Sequence, residues 1–197
     1  MNISDDCLND LEQNIKILRI ADNQLVTALL TEITQKHLDD FATFWKSRIK
    51  SNQEEESYWN WDIKNRIYLS RDNYEGYTIE CQQIAQGFIL IETQNHRSWV
   101  NQKHKLVYVQ ILETAPWNRR SFQPLPTYKL VGTALLKFAQ LRSEELGYRG
   151  LVGLHSLPKS ESFYRQMKMI DCGRDEEREQ LTYFEWYKAE TSYESRN

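Results

Sequence analysis

The chain has 197 residues, 25 lysines and arginines against 28 aspartates and glutamates, and a net charge of −3; it is long enough to bury one sizeable core. The two signs are mixed along the sequence, so no basic field is available to hold a polyphosphate backbone, and nucleic acid is excluded as the first partner to consider. The start carries no basic segment leading into an apolar stretch, and no apolar run approaches the roughly 18 residues that cross a bilayer, so the expectation is a cytoplasmic protein with no membrane partner.

Residues 14 to 20, NIKILRI, alternate apolar and polar positions and predict a half-buried strand. Helical sequence is expected after it. In TQKHLDDFATFWKSRIK, residues 34 to 50, Leu38, Phe41, Trp45 and Ile49 recur at helical intervals with charges between them, which gives one packed face and one wet face. Glu54, Glu55 and Glu56 read as a solvated helix start or loop. Trp59 and Trp61 read as core anchors or as the wall of a pocket, with core the simpler choice.

The middle third changes character. YEGYTIECQQIAQGFILIET predicts two strands, about 76 to 82 and 84 to 93, joined by a tight polar turn. A polar loop with His96, Arg97 and His104, without metal-ligand spacing, leads into KLVYVQILET, residues 105 to 114, a buried strand by its β-branched and aromatic content. Pro124 and Pro126 keep residues 118 to 128 out of regular structure. A helix is expected from Gly132 to Leu146, with Val131, Leu135, Ala139 and Leu146 on one face and Gly147 as its C-terminal stop. GLVGLHS is a further strand, and LPKSESFYRQMKM a helix with Pro158 in its first turn. A short strand near 169 to 173 and a longer one in QLTYFEWYKA close the chain around the charged turn GRDEERE. Cys7, Cys81 and Cys172 are odd in number and far apart, and are expected to be reduced thiols, with no metal ligands among them.

The order of elements predicts an α/β fold with a mixed, mostly antiparallel central sheet flanked by helices. No Gly/Ser-rich or Pro-rich linker divides it, so residues 1 to 197 are expected to form a single domain. Within it, 1 to 70 would be a mostly helical N-terminal part and 71 to 190 the core.

Gly132 stands directly between an apolar segment and a strongly helical run. A helix N-terminus exposes up to four backbone N–H groups and a partial positive charge, and a glycine there permits a phosphate to approach; it can equally serve only to ease a turn. Neither the G-x-x-x-x-G-K-[ST] loop nor the G-x-G-x-x-G turn is present.

The stretch from Lys105 to Gly173, roughly a third of the chain, resembles the GNAT N-acetyltransferase superfamily. The loop KLVGTA resembles its [QR]-x-x-G-x-[GA] motif, with Lys129 in the Gln/Arg position, Gly132 the central glycine and Ala134 the final small residue. SFYRQMKM resembles its tyrosine-bearing helix, with Tyr164 in place. Lysine lacks the planar fork of arginine, the second glycine is missing, and the connection after Pro116 is longer than the family's short turn.

The resemblance implies acetyl-CoA as cosubstrate and a primary amine, on a small molecule or protein, as acceptor. It assigns cofactor contacts to Leu112, Glu113 and Thr114 at the end of one strand and to Lys129, Leu130, Val131, Gly132, Thr133 and Ala134 at the helix entrance, and no metal. Tyr164 is then the general acid, since a phenol with pKa near 10 stays protonated at neutral pH and can donate to a departing thiolate. Freeing a lysine-like amine at pH 7 costs about 4.6 kcal/mol and an α-amine only about 1.4 kcal/mol, so a base matters chiefly for the first. Glu113 would serve if burial raised its pKa toward neutrality, and His155, ending the next strand, is the second candidate. The alternative is a catalytically silent CoA-binding module that recruits a protein partner. A homodimer is left open.

Overall fold

A computed structural model gives the arrangement of residues 12–51, 55 and 59–187; Cys7, Glu54, Glu56 and the last two residues of QLTYFEWYKA lie outside the described residues. The chain divides into two compact units, one holding the sequence up to Glu92 together with Val109–Phe138, the other Thr93–Tyr108 and the sequence from Ala139 onward.

In the first unit, strand β1 (Gln13–Arg19) falls where alternation predicted it. Strand β2 (Gln24–Glu32) occupies a stretch expected to be helical. Its leucines and alanine favour a helix, but pairing on both edges overrides that propensity: Val26 faces Ile17 on β1, and Leu30 faces Ile79 on the next strand. Ala28 and Leu30 are buried.

Helix α1 (Gln35–Asp40), a π-helical turn (Phe41–Trp45) and helix α2 (Lys46–Ser51) follow. The wide turn leaves both Phe41 and Trp45 buried, a local adjustment of a kind seen inside many α-helices. Helix α3 (Trp61–Tyr68) begins at Asn60, whose side-chain oxygen accepts from the amides of Asp62 at 3.0 Å and Ile63 at 3.3 Å, a standard N-terminal cap.

Strands β3 (Tyr74–Cys81) and β4 (Ile84–Glu92) form the expected hairpin. Cys81 pairs with Ile84, and Gln82 and Gln83 between them both have positive φ, the backbone of a two-residue hairpin turn. Strand β5 (Val107–Thr114) and the two-residue strand β6 (Tyr128–Lys129) complete the order β6-β1-β2-β3-β4-β5 in this unit. β6 lies in a connection expected to be irregular; Lys129 faces Leu18 and Tyr128 faces Arg19.

Helix α4 (Val131–Glu145) takes the expected place, and Gly147, at φ 78, ends it by donating to the Glu144 carbonyl at 2.9 Å. One face of β4 meets the N-terminal helices. Phe88 lies 4.8 Å from the Trp61 ring, 5.0 Å from Trp45 and 6.4 Å from Phe41. Burying a large ring is worth on the order of 4–6 kcal/mol, so this cluster anchors the unit. The other face meets α4 at Gly87, where a Cβ would lie 2.6 Å from Val131 Cγ1.

In the second unit, strand β7 (Val152–Ser156) is followed by a 3₁₀ turn at Pro158–Ser160 and helix α5 (Glu161–Gln166), shorter than the 157–169 expected. Strands β8 (Ile170–Asp175) and β9 (Leu181–Trp186) give the order β7-β9-β8, antiparallel throughout. The fold is mixed α/β and mostly antiparallel, as the sequence predicted. Among the described residues no helix is long and apolar enough to cross a membrane.

Candidate functional site

The helix entrance is built differently from the expectation based on Gly132. The residue with left-handed backbone is Leu130, at φ 71, whereas Gly132 is the second residue of α4 and is not among the glycines with positive φ. A leucine in that conformation is strained and uncommon. It turns the chain out of β6 so that Val131 can be buried at 2% exposure while Leu130 stays 45% exposed. The amide of Ala134 donates to the Leu130 carbonyl at 2.8 Å. The N–H of Ala134 thus closes the first helical bond. The amides of Val131 and Gly132 precede that bond and have no acceptor among the described residues, and both lie at the positive end of the fifteen-residue helix.

Glu113 is 3% exposed, on the face of β5 that also carries Ile111. Trp61 Nε1 donates to its Oε2 at 2.6 Å, and Arg119 Nη2 to its Oε1 at 3.2 Å. Arg119 also donates from Nε to the Thr114 carbonyl at 2.8 Å, which straps the segment after β5 to the strand end. Two effects oppose each other at the carboxyl. Removal from water lifts it to about 7, against the Trp61 hydrogen bond and the Lys64 charge, which favour the anion. The Arg119 guanidinium adds to the anion side. A carboxyl raised toward neutrality suits proton transfer, but both oxygens of Glu113 are engaged. Leu112 and Thr114, its neighbours on β5, are half-buried. Trp61 proves to be both core and polar partner, while Trp59 is half-buried beneath the Lys64 ammonium at 4.7 Å.

In the second unit, Tyr164 sits on α5 at 6% exposure, its ring 5.7 Å from Phe184. Burial, with a smaller contribution from the Tyr108 phenol, raises its pKa well above the ordinary phenol value, which keeps the hydroxyl protonated. His155 is held at both nitrogens: Nδ1 lies 2.8 Å from Tyr108 Oη and Nε2 lies 2.9 Å from Asp175 Oδ2. Burial lowers its pKa, against the Asp175 carboxylate. Both ring nitrogens are thus engaged within the protein.

Cys81 is buried and Cys172 half-buried, both as free thiols. Burial pushes Cys172 up to about 11, which favours the protonated thiol at neutral pH.

Four residues that complete these clusters, Trp61, Arg119, Tyr108 and Asp175, were not expected there. Arg119 stands in WNRRSF, a stretch given no role in the site, and Asp175 in GRDEERE, read as a charged turn. Tyr108 lay in a strand read as plain core.

No family model and no curated protein matches the chain. Solved structures do. The chain is similar to the GNAT domain of S. lividans PAT, at 11% identity over 90% of this chain and 97% of that one, with a TM-score of 0.57. It is similar to the N-acetyltransferase YlbP of Bacillus subtilis in complex with coenzyme A, at 13% identity over 89% and 97%, TM-score 0.52. The PaiA N-acetyltransferase of Thermoplasma acidophilum in complex with coenzyme A gives 13% over 83% and 100%, TM-score 0.52. The fold is the GNAT fold. With 89–90% of the chain aligned to two of these structures, the GNAT likeness reaches into the first 70 residues, where the KLVGTA and tyrosine-helix motifs had nothing to match.

Proposed function

We propose that the protein moves an acetyl group from acetyl-CoA to a primary amine. The observation that carries this reading is the α4 entrance: two amides without acceptors among the described residues, at the positive end of a long helix, in a fold whose similar structures include coenzyme A complexes. In this reading Val131, Gly132 and Thr133 cradle the pyrophosphate, with Lys129 and Leu130 at the loop and the Leu112 to Thr114 strand end as further cofactor contacts. Tyr164 protonates the departing thiolate. Glu113 and His155 are the candidate bases for the amine. The acceptor amine belongs to a small molecule or a protein.

One observation favours a second reading, a domain that binds CoA without turnover: Glu113 has both oxygens occupied, and Tyr164 is buried. Acetyl-CoA at about 100 times its dissociation constant is expected to stabilise the protein by about 2.7 kcal/mol in thermal unfolding; no shift would count against both readings. Free-thiol release from acetyl-CoA across a panel of primary amines separates them, since only the enzyme releases thiol. Replacing Tyr164 by Phe should lower turnover by about 10²-fold while leaving acetyl-CoA affinity within a few-fold, and equal losses of both would remove the acid role.

A further inference from the structure

Gln86 on β4 is 3% exposed and has no residue opposite it on β3: Ile79 pairs with Gly87 and Glu80 with Ala85, which makes Gln86 the extra residue of a β-bulge. A bulge re-aims the residue it frees from the ladder. Here it turns Gln86 toward the segment that follows β5. The Gln86 carbonyl accepts from the Ala115 amide at 2.9 Å and from Asn118 Nδ2 at 3.3 Å. Its side-chain oxygen accepts from Trp117 Nε1 at 2.8 Å and from Asn118 Nδ2 at 3.1 Å, while its Nε2 donates to the carbonyls of Cys81 at 3.3 Å and Ile84 at 3.1 Å. Every hydrogen-bonding site of the side-chain amide is filled, which fixes its orientation.

The other side of the same turn is bonded to the stretch that leads into α4. Asn118 Oδ1 accepts from the Tyr128 amide at 2.9 Å, and the Trp117 carbonyl accepts from the Thr127 amide at 2.8 Å. Tyr128 and Lys129 form β6, after which the left-handed Leu130 opens onto the amides of Val131 and Gly132. All these residues belong to the first unit. The connection after Pro116 is long, and a long connection left to itself loses entropy when a ligand orders it. Gln86 and Asn118 order it in advance: one hydrogen-bonded path runs from Ala115, next to the β5 end, through Gln86 and Asn118 to Tyr128.

We propose that Gln86 and Asn118 are positioning residues that set the spacing between the two halves of the coenzyme A site, the Leu112 to Thr114 strand end for the thioester arm and the α4 entrance for the pyrophosphate. This rests on the cofactor contacts of the acetyl-transfer reading. Both residues act through the backbone they hold. A ligand gripped at two places binds more tightly than either of its parts because the second contact is made at a high effective concentration, and that gain survives only while the protein's span matches the ligand's. Loosening the path should therefore remove the gain and leave each half of the site intact.

The test compares the intact cofactor with its parts. Calorimetry with coenzyme A and NMR titrations with adenosine 3′-phosphate 5′-diphosphate and with S-acetylpantetheine are made on the wild type, on Asn118→Ala, which cuts the path on both sides from a half-buried position, and on Trp117→Phe, which keeps a ring and removes one donor to Gln86. Asn118→Ala should weaken coenzyme A by about 10-fold or more while the affinity for each fragment stays within about two-fold. Trp117→Phe should shift coenzyme A in the same direction by a smaller factor, and it decides the matter should Asn118→Ala not fold. A general loss of structure would weaken the fragments too, so fragments that weaken as much as coenzyme A overturn the spacing role, as does coenzyme A affinity unchanged in the folded variants. A wild type that binds neither coenzyme A nor either fragment overturns the cofactor reading itself and this role with it.

Discussion

Glu113 in the first unit and His155 in the second are similarly closed off from water, yet pH acts on them in opposite directions. Burial favours the neutral form of each. For Glu113 that means a pKa raised from 4.5 to about 7, and for His155 one lowered from 6.5. A raised carboxyl contributes stability that is fully present below about 4.5 and lost as pH rises through about 7. A lowered imidazole contributes stability that is present above 6.5 and lost as pH falls through its folded value. The partners decide how far each goes. Arg119 and Lys64 oppose neutrality at Glu113, and Asp175 opposes it at His155. Two groups held out of water thus confine the stable range from its two sides.

The largest expected effect breaks the packing around the second of these centres. A Cβ on Gly153 would lie 2.1 Å from Tyr183 Oη, 2.9 Å from its Cζ and 3.2 Å from Leu106 Cδ2. Tyr183 is buried and its hydroxyl donates to Glu185, which also holds the Trp99 amide at 2.8 Å. The ring has no flexible end to yield, so Gly153→Ala should cost about 3 kcal/mol in urea unfolding. Gly87→Ala, its counterpart in the first unit, meets methyl groups of Val131 and Leu135 at 2.6 and 2.9 Å. Those can rotate, and a loss of about 2 kcal/mol is expected. Equal losses would mean that the β7–β9 face is softer than its contacts imply.

Comparable in size at its upper bound is the effect of the Glu113 carboxyl. Glutamine keeps an acceptor for Trp61 and for Arg119 but does not titrate. Between pH 4.5 and 7 the wild type should lose up to about 3 kcal/mol relative to Glu113→Gln, less whatever Arg119 restores to the anion. Unfolding free energies of both proteins across that interval measure the difference directly. Parallel curves would show that Glu113 stays ionised throughout, with the Arg119 pair dominant over burial.

Much of the scaffold around both centres could be read from the chain. β1, the β3–β4 hairpin, β5, α4, β7 and β9 each declare themselves by local pattern, because each has one dry face and clear turn residues at its ends. β2 did not, since QLVTALLTE favours a helix locally and becomes a strand only through its neighbours. At the helix entrance the sequence pointed to Gly132, while the backbone strain resides in Leu130; a left-handed leucine has no sequence signature. The side-chain clusters were the least visible. Trp61 meets Glu113 across 52 positions and Tyr108 meets His155 across 47, and such pairs are fixed by strand register and packing, which a single sequence does not display.

A smaller effect separates the two histidines that share the acid side. His37 in α1 is buried, its pKa lowered by burial against the Glu80 carboxylate, and its Nδ1 accepts from the Thr34 amide at 3.0 Å. Protonating Nδ1 turns that acceptor into a donor and breaks the start of α1, at about 1 kcal/mol for a lost cap. By the sign of its shift this contribution is present above pH 6.5 and fades as pH falls through the folded value. Hydrogen exchange at the Thr34 amide should therefore lose protection on acidification in the wild type. In His37→Gln, whose side-chain oxygen still accepts from this amide and does not titrate, protection should be nearly insensitive to pH, while amides of β7 beside His155 keep their wild-type response. If the Thr34 and β7 amides lose protection together in both proteins, the acid limb belongs to global unfolding, and the division of labour between His37 and His155 fails.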